Sequence, residues 1–569
     1  MFRYDFYESY VIICVNYAIS FFICCNKNYI RGVLQYSLGR MIKHKYDDFG
    51  DIIAQLKSIE DESIQSIISV LPLIERCFSL SQEVSYEKVS HSLLNFGNVL
   101  DECKRVLKKD GTVWLFVDNF NLDGEVIPLP FLVAEKAQEV GFFLRNIIIW
   151  YNSNAPCFLG PFLNRCSYIL FLSKSKDYKF DKDPVREPHV WKEVEWGGGR
   201  RSRYNPKGKD PSNFWLKTES QKGRILRHVL LSVEEVVKRC ILVSTSSGDK
   251  ILDMFAENSC VTKVAREEGR ISVFCYSKIN YPKKPFFSIN EKDWSEKKSP
   301  FNISKKFEKV YFKSCEDMGE IPDTCVQLVI TSPPYWGLRD YNVRGQIGFG
   351  ESYATYLSRL QKVMKECHRI LRPEGSMWIN INKRIIQGNM ILFPKDIIKI
   401  ASEVGFVLKD IVIWHKPISV PTTGPRNFTD RHEYVLFFTK IKQGYFFNPA
   451  SLKTSDYIYN GAKGPENVWK IFRKIGNIGK EIEVLIKEKK IKHTAVFPEE
   501  LVKRIILLCS ERGDIVLDPF AGSGTTIVVA EALGRIGVGY ELNTDYGLII
   551  KRRLENTTAK LLTWLNTNV

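Results

Sequence analysis

The sequence is poor in the patterns that bind metals or form disulfide frameworks. It contains 14 cysteines and eight histidines in 569 residues, but no two cysteines form a Cys-x-x-Cys pair and the histidines do not cluster near them. Zinc sites and disulfide scaffolds depend on such spacings. We therefore predict no metal site and interpret the cysteines as thiols in a reducing cytoplasm.

The sequence also lacks a long apolar run of the kind that spans a membrane. Its most apolar stretch, residues 11–25, is interrupted by Asn16, has acidic as well as basic flanks, and is short for a spanning helix. We predict no membrane anchor. Residues 1–40 are interpreted as an N-terminal apolar extension that either packs as a helix or strand or precedes a true start at Met41.

The composition is that of a basic globular protein. Hydrophobic residues make up 44% and charged residues 26% of the chain, and 569 residues are too many for one ordinary core. The formal net charge is +17. Such a charge favours a polyanionic partner, although it does not identify one without a site.

One short motif joins a predicted buried strand to groups suited to a nucleobase. The apolar run 326–330 is typical of a parallel strand, and Thr331-Ser332-Pro333-Pro334-Tyr335 follows it directly. Open α/β sheets bind ligands where such strands end. Each proline fixes φ and lacks an N–H, so the carbonyls of Ser332 and Pro333 are free to accept hydrogen bonds beside a flat ring. This set suits an exocyclic amine, although a rigid turn capped by an aromatic residue would show the same sequence.

A glycine-rich loop near the C-terminus predicts a nucleoside site. The run 515–517 predicts a central strand with Asp518 at its carboxyl end, and Gly522 and Gly524 let the next turn approach a ligand closely. The following strand ends at Glu541, where an acid is placed to bind ribose hydroxyls. The loop has a leading acid and is not Gly-x-Gly-x-x-Gly, so it favours a nucleoside with an amino-acid tail over a dinucleotide. The first N–H groups of the helix after the loop attract the carboxylate of such a tail.

The chain contains two copies of one α/β pattern. Residues 248–260 align without a gap with 513–525, so that Asp253 corresponds to Asp518. Other segments keep a nearly constant separation of about 265 residues. We predict an extension at 1–40, a first domain at 41–280, a linker at 281–306 and a second domain at 307–569.

The first copy keeps the apolar pattern but has lost the chemical groups. Val70 and Leu73 stand at the positions of Ser332 and Tyr335. Gly522, Gly524 and Thr525 correspond to Glu257, Ser259 and Cys260; His432 and Glu433 correspond to Cys166 and Ser167; and Lys416 corresponds to Asn152. A residue needed only for packing is best replaced by another of similar volume and polarity. The losses therefore predict a functional site in the second copy that has decayed in the first.

Together these motifs resemble the DNA amino-methyltransferases, which methylate cytosine N4 or adenine N6 with S-adenosylmethionine. The resemblance covers residues 310–554, and the catalytic motif precedes the cofactor motif as in the β group of that family. It implies an α/β fold of two tandem Rossmann-like methyltransferase domains, each a mostly parallel, doubly wound sheet flanked by helices. It assigns Ser332, Pro333, Pro334 and Tyr335 to catalysis, and Asp518, Phe520, Gly522, Ser523, Gly524 and Thr525 to the cofactor, with Glu541 on the ribose and Phe497 and Pro498 closing over the pocket.

The resemblance favours cytosine N4, because Ser-Pro-Pro-Tyr is more typical of that type than of adenine-N6 enzymes. Adenine N6, a catalytically silent nucleic-acid-binding protein and an RNA methyltransferase remain alternatives, and the motif order disfavours the last. The expected partner is double-stranded DNA, with a cognate restriction endonuclease as a further candidate.

The first copy is predicted to act as the DNA-binding half of an internal pseudo-dimer in a monomeric protein of the prokaryotic, nucleoid-associated cytoplasm. Its basic loop contains Arg200, Arg201 and Arg203, which we predict contact phosphates. A solvated loop is the alternative.

Overall fold

The structure is a computed structural model that describes most of the two predicted domains. The described residues are 49–71, 86–152, 160–187, 205, 207–221, 224–256, 260–276, 294–296, 307–417, 426–452, 465–472 and 498–568. The predicted extension at 1–40 lies outside them. Of the predicted linker, residues 294–296 are described, and Trp294–Ser295 pairs in parallel with Tyr445–Phe446 of the second half.

The first half is built on a seven-stranded sheet. In spatial order its strands are β11 (Ile271–Phe274), β10 (Lys250–Asp253), β1 (Ile64–Val70), β2 (Leu107–Val117), β6 (Cys166–Ser173), β5 (Phe143–Tyr151) and β7 (Phe214–Trp215). Only β6 runs antiparallel to its neighbours in this sheet. Two hairpins lie outside this sheet: β3 (Phe120–Leu122) pairs with β4 (Glu125–Ile127), and β8 (Lys217–Gln221) pairs with β9 (Arg224–Val229).

The second half repeats this sheet and adds a strand at one edge. In spatial order its strands are β13 (Val310–Tyr311), β23 (Ile536–Tyr540), β22 (Ile515–Asp518), β14 (Val326–Thr331), β15 (Leu371–Ile381), β19 (His432–Thr439), β18 (Val407–His415) and β21 (Val468–Lys470). The hairpin of β16 (Arg384–Ile386) and β17 (Asn389–Ile391) corresponds to β3–β4. The remaining pair, β12 (Trp294–Ser295) with β20 (Tyr445–Phe446), joins the linker to this half.

Helices cover the sheets, and the central strands β14 and β22 are buried along their length, as their mostly apolar runs predict. In the first half they are α1 (Gly50–Lys57), α2 (Tyr86–Val106), α3 (Leu129–Glu139), α4 (Val233–Ser244) and α5 (Cys260–Glu267). In the second half they are α6 (Tyr353–Ile370), α7 (Phe393–Val404), α8 (Glu499–Cys509), α9 (Thr525–Ala532) and α10 (Asp545–Asn568). The predicted fold of two tandem Rossmann-like domains is therefore confirmed. Among these described helices, none combines the length and apolar character that a membrane span requires.

Equivalent side-chain contacts recur in the two halves. Trp114 stacks on Phe171 with ring centroids 4.0 Å apart, and Trp378 stacks on Phe437 at 4.2 Å. Arg105 bonds to Glu102 at the end of α2, as Arg369 bonds to Glu366 at the end of α6. The first half has thus kept its packing, in agreement with its apolar pattern.

The two halves pack together through equivalent elements, so their interface has an approximate two-fold symmetry. The Arg145 guanidinium on β5 donates to the carbonyl of Gly388 in the second half's hairpin, with N···O at 2.6 Å. In return, the Lys409 ammonium on β18 donates to the carbonyl of Gly124 in the first half's hairpin. A single cluster of buried side chains extends through both halves. The chain is therefore a pseudo-dimer.

Candidate active site

The two sequence motifs meet at the carboxyl ends of adjacent strands. β14 ends at Thr331 and β22 ends at Asp518, and the two strands pair in parallel. The Thr331 hydroxyl donates to one Asp518 carboxylate oxygen at 2.8 Å, and the Thr526 hydroxyl donates to the other at 2.8 Å. The Phe520 N–H also donates to this carboxylate, at 3.0 Å. Asp518 therefore joins the strand of the first motif to the loop and helix of the second.

Burial dominates the electrostatics of Asp518. Its side chain is 1% exposed, and burial raises the pKa of its carboxyl to about 6 in spite of the hydrogen bonds from Thr526 and Thr331. This residue lies beneath the cavity that the loop borders and is not among the residues that line it. The hydrogen bonds of Asp518 make it an anchor for the loop, and its predicted contact with the cofactor stays a prediction.

The glycine loop bends where its glycines have positive φ. Gly522 has φ +51° and Gly524 has φ +74°. A Cβ on Gly522 would meet no atom closer than 4.0 Å and would project from the cavity wall, whereas a Cβ on Gly524 would lie 2.7 Å from Ile550 of α10. The first glycine thus leaves room for a ligand, and the second lets the loop pack against α10.

Glu541 lies at the tip of β23, beside the glycine loop. Its carboxylate accepts hydrogen bonds from the N–H groups of Gly522 and Asn543, both at 2.8 Å. Burial raises the pKa of Glu541, while these N–H groups act in the opposite direction. The carboxylate is consequently held at the wall of the cavity, where a polyhydroxyl group of a ligand can reach it.

The C-terminal helix supplies a residue that sequence reasoning missed. Arg553 on α10 is 6% exposed, and its guanidinium donates to the Ser523 carbonyl at 2.8 Å and to the Thr525 hydroxyl at 3.1 Å. Its other terminal nitrogen donates to Glu499, at the start of α8, at 2.8 Å. The signal in the sequence was only a charged residue on the apolar side of a helix. Arg553 therefore holds the glycine loop at Ser523 and Thr525.

One continuous cavity of about 280 Å³ connects the two motifs. The predicted residues that line it are Ser332, Pro333, Pro334, Tyr335, Phe520, Gly522, Ser523, Thr525 and Glu541. The sequence did not single out Lys313, Ser314, Cys315, Tyr540 and Tyr546, which line it as well. Gly524 and Pro498 are not among the lining residues, and Phe497, Arg200, Arg201 and Arg203 lie outside the described residues.

Polar groups from three neighbouring strands meet at the Ser332 end of the cavity. Asn380 at the end of β15 and Glu433 at the start of β19 both line it. The Asn380 amide donates to one Glu433 oxygen at 2.9 Å, and the Lys416 ammonium donates to the other at 3.0 Å. Among the described residues, the buried Oδ1 of Asn380 accepts no hydrogen bond. This end of the cavity is therefore a polar wall beside the Ser-Pro-Pro-Tyr motif.

Tyr335 is held by its hydroxyl at the same end. This hydroxyl lies within hydrogen-bonding reach of the Ser332 side chain and the Asn382 backbone N–H. Burial, followed by the nearby Glu433 carboxylate, raises the pKa of Tyr335 well above its usual value, so the phenol is neutral. The Tyr356 hydroxyl donates to the Pro334 carbonyl at 3.0 Å and fixes the turn.

The equivalent place in the first half keeps the anchor at the strand end. The Ser69 hydroxyl donates to Asp253 at 2.9 Å, as Thr331 does to Asp518. Phe255, the counterpart of Phe520, is buried and packs edge-on against Phe49 with ring centroids 6.3 Å apart. Within the described residues, no group of three or more histidine, cysteine or carboxylate side chains could hold a metal ion in either half.

Comparison with known proteins identifies the class that these features define. A family model described as DNA methylase, for N6 and N4 methyltransferases, matches residues 79–291 and 326–552. Each matched segment contains most strands of one sheet, and the chain belongs to this DNA methylase family. It is an S-adenosylmethionine-dependent DNA methyltransferase, as the motifs predicted.

Its relatives include Type II methyltransferases of bacteria. M.Cfr9I of Citrobacter freundii is 32% identical over 271 residues, which cover 42% of this chain and 85% of that protein. M.SmaI of Serratia marcescens is 32% identical over 255 residues, covering 40% of this chain and 83% of that protein. The segment aligned with each relative thus covers less than half of this chain.

Solved structures show a likeness of similar extent. The PvuII DNA methyltransferase, which is cytosine-N4-specific, is 24% identical, with a TM-score of 0.37 over 44% of this chain and 89% of its own. The M1.HpyAVI–SAM complex is 23% identical, with a TM-score of 0.31 over 43% of this chain and 98% of its own.

Proposed function

We propose that the second half transfers the methyl group of S-adenosylmethionine to N4 of a cytosine in double-stranded DNA. The observation that carries this proposal is the continuity of one cavity from the glycine loop to Ser332 and Tyr335. A nucleoside bound at the loop and a base bound at the motif would then share one space. The first motif position is a neutral serine, which favours cytosine N4; adenine N6 is the alternative.

The loop end of the cavity fits the cofactor. Gly522 leaves open space where any side chain would project, Glu541 presents a carboxylate to ribose hydroxyls, and Phe520 offers an apolar face. S-adenosylmethionine supplies the electrophilic methyl group when it is bound there. Asp518 and Arg553 act indirectly, by holding the loop from both sides.

The motif end acts on the target amine. The exocyclic nitrogen of cytosine is conjugated with its ring and is a poor nucleophile. The Ser332 hydroxyl oxygen and the Pro333 carbonyl accept hydrogen bonds from its two N–H groups, which draws the nitrogen toward sp³ geometry and frees its lone pair. The nitrogen–methyl bond forms as the sulfur–methyl bond breaks, and one of the two amine protons is then released. Tyr335 stacks on the base, a contact typically worth ~1–3 kcal/mol, which offsets part of the cost of flipping the base out of the duplex. Alignment of the two reactants can contribute up to roughly 7–11 kcal/mol.

The biological setting and the assembly follow from the same proposal. The named relatives are Type II methyltransferases, so we infer a role in restriction-modification and a cognate endonuclease as a candidate partner. We propose that the protein is a monomer, because the first half occupies the place of a second subunit. The location inferred is the prokaryotic cytoplasm at the nucleoid, with Arg200, Arg201 and Arg203 on DNA phosphates.

The test is to express the chain in cells without DNA methylation and to analyse their DNA. Nucleoside mass spectrometry should show N4-methylcytosine, and long-read sequencing should place it in one recognition sequence. N6-methyladenine alone would replace the cytosine proposal by its alternative, and unmodified DNA would contradict both.

Variants then test the residues. Ser332→Ala should reduce methyl transfer by at least about 100-fold and leave the binding of S-adenosylmethionine unchanged. Val70→Ala, at the equivalent position of the first half, is the matched control and should be fully active. Full activity in Ser332→Ala would overturn the role of the motif.

A further inference from the structure

The segment that leads into Glu433 is bound directly by the first half of the chain. Asn213 of the first half is 0% exposed, and its side-chain amide donates to the Asp430 carboxylate at 2.8 Å. Its amide oxygen accepts from the Arg431 N–H at 2.9 Å. The backbone joins as well, since the Asn213 N–H donates to the Thr429 carbonyl at 3.0 Å. One residue thus fixes three consecutive residues ahead of β19.

From Asp430, one path leads to the catalytic tyrosine. The Asp430 carboxylate accepts from the Asn382 side chain at 3.1 Å and from the Lys383 ammonium at 2.8 Å. Burial alone would raise the pKa of Asp430, but the Lys383 ammonium and other nearby cations hold it well below its usual range. The backbone N–H of Asn382 faces the Tyr335 hydroxyl. Asn213 is therefore linked to Tyr335 through two intervening residues.

From Arg431, a second path leads to the polar wall of the cavity. The Arg431 carbonyl accepts from the Lys416 N–H at 2.7 Å, and the Lys416 ammonium donates to Glu433 at 3.0 Å. Beside it, the Phe214 ring of the first half stacks on His415 with centroids 3.8 Å apart and planes 7° apart. Both paths end at residues that line the target-base end of the cavity, and neither reaches the glycine loop.

We propose that Asn213 is a positioning residue for methyl transfer, so that the degenerate half completes the active site of the other half. An amide has a donor and an acceptor, and it holds the Asp430 carboxylate and the Arg431 N–H together. It thereby fixes Asn382, whose N–H faces the Tyr335 hydroxyl, and Lys416, whose ammonium donates to Glu433. The inference goes beyond the proposed function and rests on its assignment of the Tyr335 end to the target base.

The approximate two-fold symmetry provides a matched control. Asn467 of the second half is 1% exposed and makes the equivalent bonds to the first half. Its side-chain amide donates to the Asn164 side-chain oxygen at 3.0 Å, and its amide oxygen accepts from the Arg165 N–H at 2.9 Å. These bonds lead toward the decayed site. Asn467→Ala therefore removes the same kind of hydrogen bonds from the same interface. These bonds hold the first half, in which the catalytic motif is lost.

The experiment compares Asn213→Ala with Asn467→Ala in the full chain. Both should lower the thermal midpoint to a similar extent, because both remove buried hydrogen bonds between the halves. Only Asn213→Ala should lower kcat for DNA methylation, by at least about 10-fold, as expected for a small displacement of positioned groups. Its dissociation constant for S-adenosylmethionine, measured by calorimetry, should equal that of the parent chain.

Exchanging the side chains of Asn213 and Asp430 tests their contact independently of how much of each variant folds. Asn213→Asp places two carboxylates face to face and should lower kcat more than Asn213→Ala. Adding Asp430→Asn restores one amide and one carboxylate with their positions exchanged, and it should recover part of kcat. The recovery is partial because Oδ1 of Asp430, which faces Asn213, also accepts from the Lys383 ammonium.

Three results would overturn the inference: parental kcat in Asn213→Ala, an equal loss of kcat in Asn467→Ala, or no recovery in the exchanged pair. A parent chain that methylates no DNA would instead contradict the proposed function.

Discussion

Phe162 and Phe428 are exchanged between the two halves, and each lies in the core of the half to which it does not belong. Phe162 is 0% exposed and meets Trp378, Phe437 and Trp469 of the second half edge-on. The equivalent Phe428 is 2% exposed and packs among aromatic rings of the first half. Neither half therefore has a complete core on its own.

Phe162→Ala and Phe428→Ala should each destabilise the whole chain. Truncation of a fully buried phenylalanine typically costs about 3–5 kcal/mol, because it leaves a cavity in the core that the ring had filled. Thermal unfolding of the purified variants measures the loss. Phe349→Ala, at a position 45% exposed, is the control and should unfold with the parent chain. A midpoint unchanged in either core variant would contradict the exchanged packing.

Asp253→Asn should change the pH dependence of stability. Burial raises the pKa of Asp253 to about 6, so the folded state binds the proton more tightly than the unfolded chain does. The stability that this proton provides is fully present below about pH 4 and is lost as the pH rises through about 6. The variant lacks this loss, worth roughly 2–3 kcal/mol, so its thermal midpoint relative to the parent should be higher at neutral pH than at low pH.

Asp249→Asn gives the opposite sign and serves as the comparison. Burial raises the pKa of Asp249, but the Lys179 ammonium and the Ser246 N–H outweigh it and lower the pKa. Its stabilisation is present above the unfolded pKa and is lost at low pH. Relative to the parent, this variant should be least stable at neutral pH. If the thermal midpoints of the two variants changed with pH in the same direction relative to the parent, the opposite pKa shifts of Asp253 and Asp249 would be contradicted.

Arg553→Met should weaken the binding of S-adenosylmethionine. The guanidinium is buried and holds Ser523 and Thr525, and bonds from a charged donor are stronger than neutral ones. We expect the dissociation constant to rise at least about 10-fold. Arg552→Met, a neighbouring position with a side chain 56% exposed, should bind like the parent chain. Equal affinities in the two variants would contradict a role for α10 in shaping the loop.

Gly524→Ala should damage the loop more than an equally strained glycine elsewhere. Gly513 has φ +84° and a Cβ added there would meet no atom within 4 Å, whereas the Cβ at Gly524 would meet Ile550. Both alanine variants lose about 1 kcal/mol from the left-handed backbone. Only Gly524→Ala should reduce cofactor affinity, and Ile550→Ala in the same chain should recover part of it. Calorimetry of the three variants decides the point.

The sequence predicted the repeated strands and the cavity-lining motifs because these depend on local patterns. The run before Thr331 is apolar except for Gln327, and the glycine loop needs its special backbone whatever surrounds it. The hydrogen bonds of Asp518 could not be predicted, because an acid at a strand end has the same sequence pattern whether it faces a ligand or a neighbouring threonine. The structure adds the contacts with Thr331 and Thr526, and the contact of Asp518 with the cofactor stays a prediction.

The contacts between the halves could not be predicted in the same way. Asn213 lies in a short segment with no motif, and its partners Asp430 and Arg431 are more than 200 residues away in sequence. Arg553 likewise shows in the sequence only as a charged residue on the apolar side of a helix, and its bonds to the loop depend on how α10 packs. Such contacts depend on how the two folded halves pack together, which cannot be predicted from the residue patterns of either half alone.

The connection of both halves in one chain has a consequence for the enzyme at low concentration. Two separate subunits dissociate on dilution, whereas tethered ones meet at an effective concentration in the millimolar range. Asn213 and Phe162 are thus supplied to the second half in a fixed one-to-one ratio however few molecules a cell contains. The specific activity should accordingly stay constant from micromolar to picomolar enzyme.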